Sequence, residues 1–429
     1  MPNNNIAGLI VAAGLSSRMN AFKPLLPLKG KPLIERTVDT LRPWVGEIYV
    51  VTGCRQEEVR RALQPSPAPV PPPAPVSASA SASSPASVPP PASASPSASA
   101  RASSPASPSP PPPRNIHFIY NERFADTGMF ESVRLGVQAL AAGSGGFFLL
   151  PGDMPLVTGH TLRSILEAHR SPEIAVVQPF YRGKPGHPPL ILASCYEYIC
   201  AYGGEGGLRG ALTFFKDRTL RLDVPDPAIR MDADLPEDYD RLLRCAEEST
   251  VPSPEVCEEI WKWFQTPELV TTHCRLVAET AREWALKLIQ AGHSLNLDLV
   301  TAGALLHDVA KGVSHRDHDT VGADWLEDMG YPTVAEVVRA HTNLPEDALN
   351  PLDERAVVHL ADKQVQKTTK VTVNQRFQTV LDRFADDPEA LTAINRRKRN
   401  VLEILEKIHA ILGESPQEKN IDKTDSILI

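Results

Sequence analysis

The chain is expected to fold as an α/β domain built on a doubly wound, mainly parallel sheet, followed by an all-α helical bundle. Three observations carry this. In the first half, short apolar runs alternate with helical stretches, the rhythm of a parallel sheet with helices on its faces. From Pro254 onward no alternating strand pattern survives, and apolar residues recur at helical spacing. Between Pro65 and Pro113 nearly every residue is Pro, Ala or Ser, with Arg101 the only charge. Such a segment cannot bury enough apolar surface to offset the entropy of ordering it. Because a strand pattern resumes at Asn115, it is expected to be a disordered insertion within one domain, which a sheet tolerates because closure costs grow slowly with length.

The first strand is expected at Leu9-Ile10-Val11, an apolar run short enough to be buried. It breaks at Ala12-Ala13-Gly14, and Ser16, Ser17, Arg18 and Lys23 follow. A strand that ends in small residues lets a ligand approach the backbone. Free N–H groups, hydroxyls and two cations are the equipment for holding a polyphosphate. The stretch matches neither Gly-x-x-x-x-Gly-Lys-Ser/Thr nor Gly-x-Gly-x-x-Gly. A helix is expected over Leu33–Leu41, a strand over Glu47–Thr52, a helix over Gln56–Leu63 and a strand over Asn115–Tyr120. Gly128 opens a further helix, whose Val133, Val137 and Leu140 fall on one face.

Phe147–Leu150 reads as a buried strand. Gly152 and Pro155 turn the chain at its carboxyl end and present Asp153 at the edge where open α/β sheets bind ligands. Tyr181–Pro189, rich in Gly and Pro, forms a turn around His187. After Asp232 and Asp234, Pro236 with Glu237 and Asp238 makes a good helix start.

In the helical half, Cys257–Phe264 and Leu269–Ala291 are expected helices. His307-Asp308 closes the apolar run Ala302–Leu306, and Gly312 reads as the helix stop. Imidazole and carboxylate ligands carried by different helices can converge on a divalent metal in a bundle core, and His273 and Asp362 lie on other expected stretches of this half. A second His-Asp pair, His318-Asp319, sits in polar surroundings and is expected in an exposed loop or helix start. His318 and His341 remain further candidate ligands, and His315 is expected to be solvent-exposed. Lys311, one turn from His307, is placed either to contact a substrate phosphate or to stand as a solvated helix residue.

Composition bounds the function. A net charge of −8 over 429 residues gives no support for a nucleic-acid or membrane-surface partner. No apolar run approaches the length of a membrane span, and Met-Pro-Asn-Asn-Asn lacks the features of a signal peptide. Six scattered cysteines, without a Cys-x-x-Cys pair, read as reduced thiols of a cytoplasmic protein.

The full string Ala-Ala-Gly-Leu-Ser-Ser-Arg-Met-Asn-Ala-Phe-Lys resembles the signature loop of the MobA-like nucleotidyltransferases, and most of all their molybdenum cofactor cytidylyltransferase branch. Asn20 stands where that branch has Gly, a mild departure since Asn tolerates a left-handed backbone. Gly-Met-Phe-Glu-Ser at 128–132, Gly-Asp-Met-Pro at 152–155 and Asp-Ala-Asp-Leu-Pro-Glu-Asp at 232–238 resemble later motifs of the family, with Leu235 replacing the usual Thr. The resemblance implies a GT-A-like domain over residues 1–247, interrupted at 65–113, that transfers CMP from CTP to molybdopterin and releases pyrophosphate. It implies that Ala12, Ala13, Gly14, Ser16, Ser17, Arg18, Lys23, Gly128 and Ser132 bind the nucleotide. It further implies that Mg²⁺ sits on Asp153 with Asp234, or else Asp232. Leu-Leu-His-Asp-Val-Ala-Lys-Gly, with His273 and Asp362, resembles the HD metal-dependent phosphohydrolases. That implies a second domain over 254–412 and a flexible tail over 413–429. Its transition metal, such as Mn, Fe, Co or Ni, would be held by His273, His307, Asp308 and Asp362, with His341 as a further ligand. Implied partners are CTP, the molybdopterin cofactor and a molybdoenzyme or cofactor chaperone. Two other readings fit the same residues: transfer to another phosphorylated acceptor, or a nucleotide sensor that regulates the hydrolase.

Overall fold

The computed structural model describes residues 6–16, 18–19, 21–64, 115–140, 143–248 and 251–414. Ser17, Asn20, the Pro65–Pro113 segment and the tail beyond 414 lie outside the described residues, and so do the expectations placed on them.

The chain opens with β1 (Ile6–Ala12), every residue of which is buried. A two-residue hairpin, β2 (Pro27–Leu28) and β3 (Lys31–Pro32), leads into α1 (Leu33–Leu41), β4 (Ile48–Thr52) and α2 (Gln56–Leu63). After the insertion come β5 (Ile116–Tyr120), α3 (Met129–Leu140), β6 (Gly146–Pro151) and α4 (Gly159–Ala168). Next in the chain are β7 (Val176–Tyr181), β8 (Lys184–Pro185), β9 (Leu190–Leu192), α5 (Tyr196–Ala201), α6 (Gly207–Leu212), β10 (Thr219–Asp223) and α7 (Pro236–Glu248).

The strands form one sheet in the order β10-β7-β9-β6-β1-β4-β5, with β8 paired to β7. β1 is parallel to both β4 and β6, β4 to β5, and β7 to β10; the strand β9 runs antiparallel between β6 and β7. The mainly parallel α/β sheet expected from the sequence is therefore present. One apolar core, with Ile10, Val50, Phe148 and Leu150, lies on one face of the sheet; Leu9, Val51, Phe147 and Leu149 belong to the core on the other. Alternate residues of the same strands thus go to opposite faces, and burial on both faces makes these strands near-continuous apolar runs. Helix α3 seats directly on β1. A Cβ at Gly136 would come within 2.4 Å of Leu9 Cδ1, so only glycine allows this approach.

The second half is helical. Ser253 caps α8 (Pro254–Trp263), its side chain accepting from the Val256 N–H, and Pro254 fills the first turn. Beyond it lie α9 (Glu268–Gln290), α10 (Leu297–Leu306), α11 (His318–Asp328), α12 (Pro332–Ala340), α13 (Glu354–Lys363), the two-residue hairpin β11 (Val365–Gln366) and β12 (Thr369–Lys370), α14 (Val373–Arg383) and α15 (Pro388–Leu412). Their core centres on Val277, Ala281, Leu306, Val338, Val358 and Ile404. Two expectations are corrected here. Helix α10 ends at Leu306, not at Gly312. The chain beyond it closes into successive tight turns, Val309 N–H to the Leu306 carbonyl, Lys311 to Asp308 and Val313 to Ala310. His318, expected in exposed surroundings, is buried at the start of α11 because its ring turns into the bundle.

The two halves touch. Tyr181 packs against the cores of both. His160 of α4 meets Trp263 edge-on at 5.3 Å, and Asp328 of α11 pairs with both His160 and Arg163.

Candidate nucleotide and metal sites

At the carboxyl ends of β1 and β6 lies a cavity of about 700 Å³. Among its lining residues are Ala12, Ala13, Gly14, Ser16, Arg18 and Lys23 from the opening loop. Gly128 and Ser132 come from the start of α3, and Asp153, Asp232 and Asp234 from the turns after β6 and before α7. Every nucleotide or metal residue expected in the first half lines this one cavity, Ser17 excepted. The loop is closed by Ser16, which sits in the left-handed region at φ 52° and accepts from the Lys23 N–H at 3.1 Å. Gly53 backs the loop: a Cβ there would come within 2.7 Å of the Ala13 carbonyl. At Gly14 and Gly128, by contrast, a Cβ would meet nothing within 4 Å, so protein packing does not account for these glycines and they leave open space on the cavity side. The Ser132 hydroxyl is pinned by the Asn121 amide at 3.0 Å.

Charge in this cavity is concentrated. Lys23 Nζ lies 2.5 Å from Asp234 Oδ1 and 3.7 Å from Asp153 Oδ2, and Arg18 lies 3.5 Å from Asp234. Burial pushes the Asp153 carboxyl up; Lys23 opposes this, while Asp232 and Asp234 add to it. Asp232 is raised by burial and by Asp234. Three carboxylates around one ammonium make a site that gains by receiving a further cation, and hard carboxylate oxygens suit Mg²⁺.

His187, in the Gly/Pro-rich turn expected from the sequence, stands between this cavity and a larger one of about 1080 Å³. The larger cavity is mostly apolar, with Phe130, Leu149, Val176 and Phe180 among its walls. Burial lowers the His187 pKa, and its Nδ1 faces the Leu149 carbonyl at 3.3 Å.

The helical half holds a second centre. The ligand atoms of His273, His307 and Asp362 lie within 4.8 Å of one another, as do those of His307, Asp308 and His341. Asp308 stands between two groups. Its Oδ2 lies 3.4 Å from His307 Nε2 and 3.9 Å from His273 Nε2, while its Oδ1 lies 3.1 Å from His318 Nε2 and 3.5 Å from His341 Nε2. Asp362 Oδ1 reaches His273 at 3.2 Å and His307 at 3.6 Å.

Each imidazole is held from behind. The Nδ1 atoms of His273, His307, His318 and His341 face the carbonyls of Lys367, Ala304, His315 and Val338 at 2.8, 2.7, 3.3 and 2.6 Å. A carbonyl only accepts, so each Nδ1 is the N–H donor and each Nε2 is directed inward as the coordinating atom. This leaves polar atoms without satisfactory partners. His307 Nε2 and Asp308 Oδ1 are buried and make no hydrogen bond of acceptable geometry, and His318 Nε2 faces His341 Nε2 at 3.2 Å. Two inward lone pairs at that distance call for a proton or a cation, so the residues fit a divalent metal.

Burial works against charging His307, yet Asp308 and Asp362 beside it raise its pKa well above the ordinary value. Contact with His307 outweighs burial at Asp308, as Lys363 together with His273 and His307 does at Asp362, and both carboxyls are held far below the usual range. Burial lowers His341. Lys311 Nζ lies 2.5 Å from Asp308 Oδ2, and Lys363 Nζ 2.5 Å from Asp362 Oδ2. Lys363 and the buried His359 carry no motif that marks them in the sequence. Their signal is position alone: His359 precedes Asp362 by three residues on α13, and Lys363 comes directly after it.

A family model described as the MobA-like NTP transferase domain matches residues 8–89 and 91–220, and one described as the HD domain matches 270–365. A molybdenum cofactor cytidylyltransferase of Escherichia coli is 24% identical over 231 residues, covering 54% of this chain and 92% of its own length. An uncharacterized protein of Methanocaldococcus jannaschii is 28% identical over 154 residues, covering 32% of this chain and 90% of its own. Among solved structures, a nucleotidyl transferase from Methanothermobacter thermautotroptrophicus spans 58% of this chain and 100% of its own, at 23% identity and a TM-score of 0.41.

Proposed function

From a chain that joins a MobA-like NTP transferase domain to an HD domain, we propose a two-site enzyme. Residues 1–247 transfer CMP from CTP to the terminal phosphate of molybdopterin, and residues 254–412 are a metal-dependent phosphohydrolase. The observation that carries the first activity is the convergence of Ala12-Ala13-Gly14, Lys23, Asp153 and Asp234 on one cavity at the carboxyl ends of β1 and β6. The Ala-Ala-Gly form of the loop and the E. coli relative's name favour CTP over GTP.

An oxygen of the acceptor phosphate attacks the α-phosphorus of CTP in line. The new O–P bond forms as the bond to the bridging oxygen breaks, and the electron pair leaves with pyrophosphate. Backbone N–H groups of the opening loop and the Ser16 hydroxyl hold the triphosphate. Arg18 and Lys23 draw off charge as it develops on the leaving group, and positioning with electrostatics supplies the rate. Asp153 with Asp234, or with Asp232, would hold Mg²⁺, which neutralises charge on the phosphate oxygens. The acceptor occupies the larger, apolar cavity and meets His187 where the two cavities join.

In the helical domain, His273, His307, Asp308 and Asp362 would hold one metal, and Asp308 with His318 and His341 a second. Held by these residues, a divalent metal would supply Lewis-acid polarisation of a phosphate ester and a hydroxide near neutral pH. Lys311, beside Asp308, contacts the substrate phosphate.

Incubating the full chain with labelled CTP or GTP, Mg²⁺ and molybdopterin tests the transferase. A cytidylated pterin is the expected product, and its absence overturns this assignment. Release of phosphate from p-nitrophenyl phosphate by the Mn²⁺-loaded chain tests the hydrolase. Release that persists unchanged in His307→Ala places any hydrolysis elsewhere.

A further inference from the structure

Helix α13 brings more to the helical centre than Asp362. Two further side chains on it, His359 and Lys363, reach the main chain of His341, the residue that ends α12. His359 Nδ1 lies 2.8 Å from the His341 carbonyl oxygen, and Lys363 Nζ lies 3.3 Å from the same atom. A carbonyl only accepts, so Nδ1 carries the proton of His359 and donates it. One carbonyl thus takes two donors from one neighbouring helix. The last carbonyls of a helix lack partners within it, and here a buried imidazole and an ammonium supply them. Packing alone does not ask for an imidazole at this place. His359 is 6% exposed, and its neighbours Val357, Val358, Leu360 and Ala361 are all buried and apolar.

Lys363 has a second contact. Its Nζ lies 2.5 Å from Asp362 Oδ2, while Asp362 Oδ1 faces His273 and His307. A single ammonium therefore joins a ligand of the first metal position, Asp362, to the main chain of a ligand of the second, His341. The ring of His341 is held separately, its Nδ1 facing the Val338 carbonyl at 2.6 Å. With the main chain fixed from α13 and the ring fixed from α12, Nε2 is directed to Asp308 Oδ1 at 3.5 Å.

We infer that His359 and Lys363 are positioning residues that build the second metal position from α13 and tie it to the first. His359 acts through His341 alone, and Lys363 through both His341 and Asp362. This rests on the two-metal reading of the helical centre given above. Partners that orient a metal ligand from outside govern metal affinity by about 10–100-fold.

Titration of the full chain with Mn²⁺, followed by elemental analysis and electron paramagnetic resonance, tests it. Two Mn²⁺ ions sharing Asp308 couple magnetically, whereas a lone ion gives a six-line signal. The transferase carboxylates are the same in every variant, so differences report the helical centre. His359→Leu keeps most of the volume and cannot donate. It is expected to lose the coupled signal as the second ion binds about 10–100-fold more weakly, with the first ion retained. His359→Asn restores a donor close to the place of Nδ1 and is expected to regain the coupled signal. A role in packing alone reverses that order, with leucine tolerated better than asparagine. Lys363→Met is expected to weaken both ions, and Lys363→Arg to keep both. Retention of the coupled signal in His359→Leu, or equal losses in the leucine and asparagine variants, overturns the proposal. If His359→Leu does not fold, the Lys363 pair decides: Lys363→Met that binds both ions as the wild type does overturns it. A wild type with no coupled signal removes the two-metal reading itself, and the proposal with it.

Discussion

Both carboxylate ligands of the helical site converge on His307 Nε2. With its pKa raised well above the ordinary value, His307 is protonated at neutral pH in the metal-free chain. A metal must displace that proton, so apparent Mn²⁺ affinity is expected to rise with pH, by about tenfold per unit for one proton released, until His307 is neutral. Titrations between pH 6 and 8 in buffers of different ionisation enthalpy check both the slope and the proton count; affinity independent of pH refutes it. Replacing His307 with alanine is expected to lower the bound metal in elemental analysis. In the other domain, Lys23→Ala is expected to lower kcat/KM with CTP by about 10²–10³-fold while leaving the circular dichroism unchanged, since it removes a charge placed for the transition state. How legible these residues were differs for physical reasons. His307 and Asp308 follow an apolar run that announces burial. His318 follows Ser314-His315-Arg316-Asp317, and nothing in that polar text shows that the ring turns inward at the first position of α11.

Strands β1, β4 and β6 could be read because burial on both faces leaves them almost purely apolar, and α1 and α2 because their polar and apolar faces separate cleanly. Where α10 ends could not. Gly312 looks like a stop, yet the helix ends at Leu306 and the chain runs on through His307 and Asp308 in tight turns, which no residue type in that stretch marks. The short antiparallel strand β9 inside an otherwise parallel neighbourhood was equally silent, since three residues carry no periodicity. Helix α3 matters most among the elements, because its first turn lines both cavities of the transferase domain. It is held at that depth by Gly136 against Leu9. The substitution Gly136→Val is expected to cost about 1–3 kcal/mol by overpacking, read as a lower Tm, and to weaken CTP binding through displacement of Gly128 and Ser132. An unchanged Tm shows that α3 shifts freely and that this contact does not set its position.

At the scale of the whole molecule, the two domains meet through Tyr181, Trp263 and the pairing of Asp328 with α4. The Asp328 pairs are substantially exposed, so Asp328→Ala is expected to move the Tm by no more than a few degrees, because exposed ion pairs contribute about 0–1 kcal/mol. A larger fall shows that the domains depend on this contact for stability. The insertion leaves the described chain at Gln64, after α2 has run back along the sheet, and re-enters at Asn115, ahead of the edge strand β5. Both points lie at the amino ends of the strands, and the nucleotide cavity lies at the carboxyl ends. The five residues of β4 set these ends roughly 17 Å apart. Replacing residues 65–113 with a short Gly/Ser link is therefore expected to leave CTP affinity within about twofold, because the shorter closure changes little. A marked loss refutes this separation of ends. The same geometry makes the edge of β5 a port: a fluorescent reporter or an affinity handle spliced between Gln64 and Asn115 would be carried by the sheet on the side away from bound nucleotide, turning the chain into a tethered sensor without a change to either active centre.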